Sequence, residues 1–325
     1  MYREFLPESG HFYKVNLHCH TNISDGSQTP EEVKETYKAL GYHAVCFTDH
    51  EVLLGHKELC DSDFIALHGY EVAIKSDQSR STAYFMPVYH FNMIAKDPKQ
   101  REIPCFYRQN TSFPGSSASY AEEQPCSSLI DTYYYNINWL NRYLKKVSES
   151  GFLINYNHPE WSLQTSADYL GLEHLHSIEL INGGCRFHND NTSLHYQNLL
   201  RAGKRPVPNA GDDNHAACDC GFAWTMIKAP ALTYRDLIAA YERGDCYASE
   251  GPEIHSLILN GDKIKVKTSP AAAITLHTEG RCVRVAENCS QAEFLLEPQK
   301  FGRFFRIEVR DAAGKKAFSN AYPAE

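Results

Sequence analysis

The stretch Asn16-Leu17-His18-Cys19-His20-Thr21-Asn22-Ile23-Ser24-Asp25-Gly26 organises this chain. It follows a short apolar run, and side chains two residues apart in an extended segment point to the same face, so His18 and His20 can aim two imidazoles at one point. Asp25 follows in a polar turn and can bring a carboxylate there. These nitrogen and oxygen ligands suit divalent metals. An isolated pair of this kind is more often two surface histidines, so the metal interpretation depends on partners elsewhere in the chain.

Length and composition are those of an ordinary globular protein. The 325 residues are 42% hydrophobic and 22% charged, which suits one large or two medium domains. The net charge of −8 argues against a general binder of nucleic acids or acidic membranes. The eleven cysteines are odd in number and scattered, the first residues, Met1 to Phe5, show no apolar h-region, and no long apolar run appears. We therefore expect a cytoplasmic protein with reduced thiols.

A strand–helix pattern repeats along most of the chain. Thr29-Pro30-Glu31-Glu32 has the capping residue, proline and acidic first turn of a helix start, and the apolar run 44–47 predicts a buried parallel strand. Similar strand-like runs occur at 64–67, 84–89, 152–154, 178–181, 206–208 and 224–227, and further helices are predicted near 138–148, 194–202 and 233–244. About seven such units over roughly 250 residues indicate a (β/α) barrel. We place this domain at residues 1–251.

Metal-ligating residue types follow the predicted strands. Besides the first stretch, they are His50, Glu71, His90, His158, Asp213 and His215. In (β/α) barrels the active site is built at the carboxyl ends of the strands, so we expect these side chains to converge. They offer more ligands than one ion can use, and crowded carboxylates need cations to stay ionised. We expect more than one divalent ion, with Asp49 orienting an imidazole from behind.

Two regions depart from the repeat. Beyond residue 251 the runs are short and strand-like with turn signals such as Asn260-Gly261, so residues 252–325 are predicted to form a small all-β domain without a catalytic role. Residues 95–135, called the insertion below, hold several prolines and aromatic residues. Since the insertion follows the strand of His90, we expect it to form a wall or lid of the substrate pocket. The alternative is that it packs on the flank of the barrel or on the β domain.

In their order and spacing, the motifs from about residue 15 to 250 resemble the PHP (polymerase and histidinol phosphatase) superfamily. The chain most resembles its stand-alone phosphoesterases with a Ser-Asp-Gly motif and a C-terminal β domain. The resemblance implies a distorted (β/α)7 barrel that holds two or three divalent ions of manganese, zinc or iron. It implies a first ion on His18, His20, Glu71 and Asp213, a second on Asp25, His50 and His158, and a third on Glu71, His90 and His215.

The resemblance also implies a reaction. It is the hydrolysis of phosphate esters, of a small phosphomonoester or a nucleotide, by water activated at the metal ions and without a protein nucleophile. The sequence agrees, since it contains no Gly-x-Ser-x-Gly elbow, Walker loop or dinucleotide fingerprint. Arg186, His188 and Glu179 are candidates for substrate contact, although Glu179 can equally support a ligand from behind. The expected partner is a small phosphorylated molecule, not a nucleic-acid polymer or a membrane.

Two alternative functions stay open. The same metal site could cleave carbamates or carboxylic esters, because an activated hydroxide serves either reaction. The chain could instead be a catalytically inert metal-binding module. Its complete ligand set and stand-alone architecture argue against the inert module.

Overall fold

The computed structural model describes residues 2–76, 86–108, 117–188 and 192–324. The strands are β1 (Tyr2–Glu4), β2 (His11–Asn16), β3 (Ala44–Phe47), β4 (Ile65–Lys75), β5 (Val88–Ala95), β6 (Phe152–Tyr156), β7 (Ser177–Asn182), β8 (Val207–Gly211), β9 (Trp224–Ala229), β10 (Cys246–Ser249), β11 (Ile254–Asn260), β12 (Lys263–Thr278), β13 (Val283–Leu295), β14 (Phe304–Arg310), β15 (Lys316–Ser319) and β16 (Tyr322–Pro323). The α-helices are α1 (Pro30–Ala39), α2 (Ser117–Glu123), α3 (Ile137–Glu149), α4 (Ser166–Tyr169), α5 (Thr192–Arg201), α6 (Tyr234–Arg243) and α7 (Pro298–Phe301). Within the described ranges, no helix is long and apolar enough to span a bilayer.

The helices begin at the capping residues that the sequence predicts. At the start of α1 the Glu32 N–H donates to the Thr29 hydroxyl, and the Thr29 N–H donates to the Glu32 carboxylate, which is a capping box. At the start of α6 the Thr233 hydroxyl accepts a hydrogen bond from the Asp236 N–H. That helix is followed by Gly244, whose φ of 78° glycine adopts without strain. The four predicted helices are confirmed as α1, α3, α5 and α6.

The strands form one mixed sheet. Hydrogen-bonded neighbours follow the order β1-β11-β12-β14-β15-β10-β9-β2-β3-β4-β5-β6-β7-β8, with β13 on β12 and β16 on β14. Parallel pairing joins β2, β3 and β4, and again β6, β7 and β8. β9 lies antiparallel to β2, and β5 lies antiparallel to both of its neighbours. The mixed α/β class is therefore confirmed, while the strand directions differ from those of a purely parallel sheet.

The sheet is not closed into the predicted (β/α)7 barrel. Residues 11–15 of β2 pair with β9, which leaves no room for β8 on that edge, and no ladder among the described residues joins β8 to β2. The segments that follow β2 and β8 are instead joined by backbone hydrogen bonds. The Asp213 N–H donates to the His18 carbonyl at 2.9 Å, and the His20 N–H donates to the Asn214 carbonyl at 3.2 Å. The two ends of the strand series thus approach each other where the candidate ligands lie.

The β4–β5 hairpin departs most from the sequence prediction. β4 continues to Lys75 and β5 begins at Val88, so Glu71 and His90 lie inside strands and not beyond their ends. The predicted strand at 84–89 falls partly outside the described residues. Because β5 runs antiparallel to β4, the chain leaves β5 at the end of the sheet where β4 begins. The insertion therefore starts at the end of the sheet opposite the candidate ligands. The expectation that it leaves β5 on the side of the substrate pocket, because it follows the strand of His90, is wrong.

The described part of the insertion packs as protein core. Phe106 is fully buried, and Ile103 and Tyr133 are buried with it in the cluster that contains Leu53 of the β3–β4 connection. The Gln124 side chain accepts a hydrogen bond from the Leu53 N–H at 2.9 Å. The described residues of the insertion thus pack on the flank of the sheet, which was the alternative expectation. Residues 109–116 lie outside the described ranges.

The C-terminal strands share a hydrophobic core with the N-terminus. β1 pairs antiparallel with β11, and Phe5 and Leu6 pack in the same cluster as Ile274 and Phe305. Residues 252–325 therefore do not supply this core alone. The domain boundary near residue 252 stays a prediction.

Candidate metal centre

The first group of candidate ligands consists of His18, His20, Glu71 and Asp213, all buried. The Nε2 atoms of the two histidines lie 3.2 Å apart. The Glu71 carboxylate lies 3.2 Å from His18 Nε2 and 3.3 Å from His20 Nε2, and Asp213 Oδ1 lies 3.2 and 3.1 Å from the same atoms. Two ligand atoms bound tetrahedrally, each about 2.0 Å from an ion, lie about 3.3 Å apart. The spacing therefore fits a shared divalent cation.

The second group consists of His20, Asp25, His50 and His215. The Asp25 carboxylate lies 3.3 Å from His215 Nε2, 3.5 Å from His50 Nε2 and 3.5 Å from His20 Nδ1. His20 Nδ1 is buried and has no hydrogen-bond partner among the described residues. Buried ring nitrogens are normally bonded, so this atom also fits a cation ligand. His20 takes part in both groups, through opposite nitrogens.

The third group consists of Glu71, His90 and His158. Glu71 Oε1 lies 3.1 Å from His90 Nδ1 and 3.5 Å from His158 Nε2. This grouping differs from the resemblance-based one, because His158 and His215 exchange places. Spacing along the chain indicates which strand end a ligand follows but not where the turn then aims it. The backbone φ is 23° at His158 and 49° at Asp213, values that a turn prediction from residue type does not anticipate.

Partners outside the groups orient three of the imidazoles. The Nδ1 atom of His18 lies 3.1 Å from Glu179 Oε1, that of His158 lies 3.1 Å from Ser162 Oγ, and that of His215 lies 3.0 Å from the Asp213 carbonyl. In each case the Nε2 atom is left facing the ligand groups. Engagement of one ring nitrogen by an outer hydrogen bond is the usual arrangement of metal-binding histidines.

Glu179 supports the site from below, and with His18 and His158 it forms a fourth group of possible ligands, beneath the three that line the cavity. It is 2% exposed and, besides its contact with His18, accepts hydrogen bonds from the His158 N–H at 3.1 Å and the Asn182 side chain at 2.9 Å. It does not line the cavity above the ligands. The geometry therefore favours the orienting role, and gives no support to substrate contact.

Two buried aspartates shape the loops that carry the ligands. Asp49 accepts hydrogen bonds from the backbone and hydroxyl groups of Thr21 and Ser24 at 2.8 to 3.2 Å, so it holds the turn before Asp25 and does not orient an imidazole as expected. Asp212 accepts from the N–H groups of residues 221–223. Asp212 belongs to none of the ligand groups.

Two glycines permit the close approach of the ligand segments. A Cβ on Gly26 would lie 2.7 Å from the His20 carbonyl, and one on Gly211 would lie 2.8 Å from His18 Cβ. Neither backbone could move without displacing a candidate ligand. This is the physical reason for glycine at the end of the Ser-Asp-Gly motif.

Burial disfavours the charged forms of the candidate ligands, and neighbouring charges determine which of these side chains are ionised. Burial by itself raises the pKa of the Glu71 and Asp213 carboxyls, but the facing imidazoles, led by His90 and His18 respectively, hold each pKa well below its ordinary value. Burial lowers the pKa of His50 to about 3. These carboxylates are therefore ionised and His50 is neutral near pH 7, which are the states that bind metal.

An open cavity of about 350 Å³ lies over the ligand groups. Its described lining residues are Asp25, His50, Glu71, His90, His158, Trp161, Gly184, Cys185, Asp213, His215 and Asp219. Trp161, Cys185 and Asp219 were not predicted from the sequence. Only their nearness to His158, Asn182 and His215 along the chain could have indicated them. No described residue of the insertion lines this cavity.

Arg186 and His188 lie away from the ligand groups. The Arg186 guanidinium lies over the Phe222 ring at 4.7 Å and donates to the Gly183 carbonyl, and it lines a different cavity, between β7, α5 and β15. His188 is exposed, and its N–H donates to the Cys185 carbonyl. Contact of either residue with a substrate therefore stays a prediction.

Several solved structures align with this chain at low sequence identity and with TM-scores below 0.5. A two-domain protein from Bacteroides vulgatus, described as containing a PHP-like metal-dependent phosphoesterase, is 12% identical with a TM-score of 0.43 and covers 98% of each chain. A protein from Bifidobacterium adolescentis, described as a metal-dependent phosphoesterase, is 16% identical with a TM-score of 0.40 and covers 65% of this chain and 89% of its own. An amidohydrolase from Chromobacterium violaceum is 15% identical with a TM-score of 0.38 over 62% and 87%. No curated protein matches the chain.

The family model that matches is that of the PHP domain, over residues 16–150. The matched segment contains His18, His20, Asp25, His50 and Glu71, which contribute to all three ligand groups. The resemblance inferred from the motifs and the match of the family model agree over this segment: residues 16–150 are similar to the PHP domain family.

Proposed function

We propose that this chain is a metal-dependent phosphoesterase that hydrolyses a small phosphomonoester or a nucleotide. The observation that carries the proposal is that three ligand groups share residues and open on one cavity. Glu71 joins them: its Oε1 faces His90 at 3.1 Å, and its Oε2 faces His20 at 3.3 Å and His50 at 3.4 Å. A single ion would need only one of these ligand groups, so several adjoining groups favour more than one ion.

Nine side chains would hold the ions, and all donate nitrogen or oxygen. They are His18, His20, Asp25, His50, Glu71, His90, His158, Asp213 and His215. Such a set suits manganese, zinc or iron. When bound, the ions would neutralise charge on a phosphoryl group and lower the pKa of water at the site.

In this proposal no described side chain of the cavity acts as the nucleophile. Cys185 is the only residue with a nucleophilic side chain of the Ser, Thr, Cys or Lys type among the described cavity residues. Burial, reinforced by Asp213, raises the pKa of its thiol well above the ordinary value. A thiol held protonated beside a carboxylate at 4.0 Å is a poor nucleophile.

The test is a paired screen of the metal-loaded protein on nitrophenyl phosphate, nitrophenyl acetate and a naphthyl carbamate. We expect metal-dependent cleavage of the phosphate. Cleavage of the acetate or carbamate alone would replace the proposal by the ester or carbamate hydrolase. Absence of turnover on all three and on nucleotides, at full metal content, would favour the inert module.

Replacing Asp213 by alanine should lower phosphate turnover by about 100-fold or more, because it removes a carboxylate from the first ligand group. The matched control is Asp63→Ala, an exposed acid distant in the fold from the cavity residues. Turnover within about two-fold of wild type at saturating metal in the Asp213 variant would show that the ligand assignment is wrong.

A further inference from the structure

Trp161 presents a flat apolar surface beside the candidate metal ligands. Its indole ring lies 5.0 Å from the His158 ring and 5.5 Å from the His90 ring, and it lines the cavity. The side chain is nevertheless 41% exposed. Trp161 is the only aromatic residue other than the histidines among the described residues of this wall. An exposed indole next to a polar site is a common recognition element for planar groups.

The loop that carries Trp161 is held rigidly. Within it, the Ser162 N–H donates to the His158 carbonyl at 3.1 Å, and the Gln164 N–H donates to the Pro159 carbonyl at 3.0 Å. The Ser162 carbonyl accepts from the N–H of Val88 in β5 at 3.2 Å. The indole is therefore placed before a ligand arrives, which reduces the entropy lost on binding.

A second bond anchors the same loop to α5. His195 Nε2 lies 3.0 Å from the Glu160 carboxylate, and His195 Nδ1 lies 2.9 Å from the Tyr169 hydroxyl. A consistent assignment has the tyrosine donating to Nδ1 and Nε2–H donating to Glu160. This half-buried contact ties the residue directly before Trp161 to a helix.

The cavity is large enough for a small phosphate ester that carries a planar group. Its volume is about 350 Å³, near the lower end of the range for small-molecule sites. Gly184 and Cys185, both small, line it together with the ligands and the indole. The ligand groups would take the phosphoryl end, which leaves the exposed indole face for the remainder of the ester.

We propose that Trp161 stacks on a planar ring in the leaving group, so that the site selects aryl or nucleoside phosphate monoesters over alkyl or sugar phosphates of equal charge. This inference rests on the proposed phosphoesterase function. It assigns Trp161 as a specificity-determining residue.

The activity test compares adenosine 5′-monophosphate with ribose 5-phosphate, which share the scissile bond and differ by the base. Base–aromatic stacking predicts that Trp161→Ala lowers kcat/KM for the nucleotide by about 5- to 150-fold and changes that for the sugar phosphate by less than about two-fold. Trp161→Phe, which keeps a ring, should retain most of the preference. The control is Phe187→Ala, which removes an aromatic residue that is 83% exposed and does not line the cavity.

A binding measurement separates the two proposals. Equilibrium dialysis of adenosine 5′-monophosphate and ribose 5-phosphate with the metal-loaded protein needs no turnover. If nothing is hydrolysed but the nucleotide binds more tightly in a Trp161-dependent way, the phosphoesterase function fails and the stacking platform stands. Equal affinity for the two ligands, no affinity for either, or a preference unchanged in Trp161→Ala would overturn the platform.

Discussion

At the scale of single residues, the site depends on which imidazole nitrogen faces the ligand groups. His18, His158 and His215 each have Nδ1 bonded outward, which leaves Nε2 for a cation. Glu179 is central to this arrangement because its two oxygens contact both the His18 ring and the His158 backbone. Two of these three rings, His18 and His158, are therefore oriented by residues that do not line the cavity, Glu179 and Ser162.

Replacing Glu179 by glutamine should weaken metal binding by about 10- to 100-fold, because the amide keeps the shape of the side chain but loses the charge that supports His18. Competition with a fluorescent chelator measures the effect. Glu149→Gln, at the exposed end of α3, is the control and should bind metal like the wild type. An unchanged affinity in the Glu179 variant would show that this carboxylate does not tune the site.

The nine candidate ligands could be named from the sequence, since their residue types follow strand-like runs in a characteristic order. How these ligands divide among the three groups could not be predicted from the sequence. It depends on how the turns at His158 and Asp213 aim the side chains, and such backbone angles are not encoded in a local pattern. Trp161 was missed for a different reason: an isolated tryptophan after a strand is more often part of the core than of a cavity wall.

At the scale of elements, the β4–β5 hairpin decides where the insertion goes. A sequence pattern gives the positions of strands but not their directions, and the antiparallel course of β5 reverses the end at which the chain leaves the sheet. The described residues of the insertion then bury apolar side chains against the flank near α3. The prolines and aromatic residues that suggested a pocket wall belong in part to a hydrophobic core.

Replacing Phe106 by alanine should lower the free energy of unfolding by about 3 to 5 kcal/mol, because the ring is fully buried. Denaturant titration measures the loss. The ratio of kcat/KM between two substrates should stay unchanged, since Phe106 does not line the cavity. Leu129→Ala, at a side chain 61% exposed, should cost less than about 1 kcal/mol, and equal losses in the two variants would contradict the assigned packing.

At the scale of the whole molecule, the N-terminal segment and α5 connect the C-terminal strands to the rest of the fold. The N-terminal residues Phe5 and Leu6 complete the C-terminal core. The buried Arg306 of β14 donates to the Gln197 side chain of α5 at 3.2 Å. The β-rich composition beyond residue 251 could be predicted, but the contribution of the N-terminus could not, because a three-residue strand carries no pattern.

The pairing of Glu308 with Arg306 and His277 should make stability depend on pH. Burial by itself raises the pKa of Glu308, but His277 at 3.3 Å and Arg306 at 3.4 Å lower it from 4.5 to about 2. A folded pKa below the unfolded one stabilises the protein above pH 4.5 and ceases to do so as the pH falls toward 2. The full difference corresponds to about 3 kcal/mol.

Glu308→Gln should therefore lower the free energy of unfolding by about 3 kcal/mol at pH 7 and by less than about half of that at pH 3. Urea denaturation at the two pH values checks this. Glu287→Gln, at an exposed position of β13, is the control and should cost little at either pH. A deficit of the same size at pH 7 and pH 3 would mean that the Glu308 charge is not the source of the stabilisation.

The central claim is that one cavity holds several divalent ions, and counting those ions tests it most directly. Elemental analysis should be made on protein purified without chelator and reconstituted separately with manganese, zinc and iron. The three overlapping ligand groups predict two or three ions per chain with at least one of these metals, and a lower count in Asp213→Ala. One ion or fewer per chain with every metal would contradict the account.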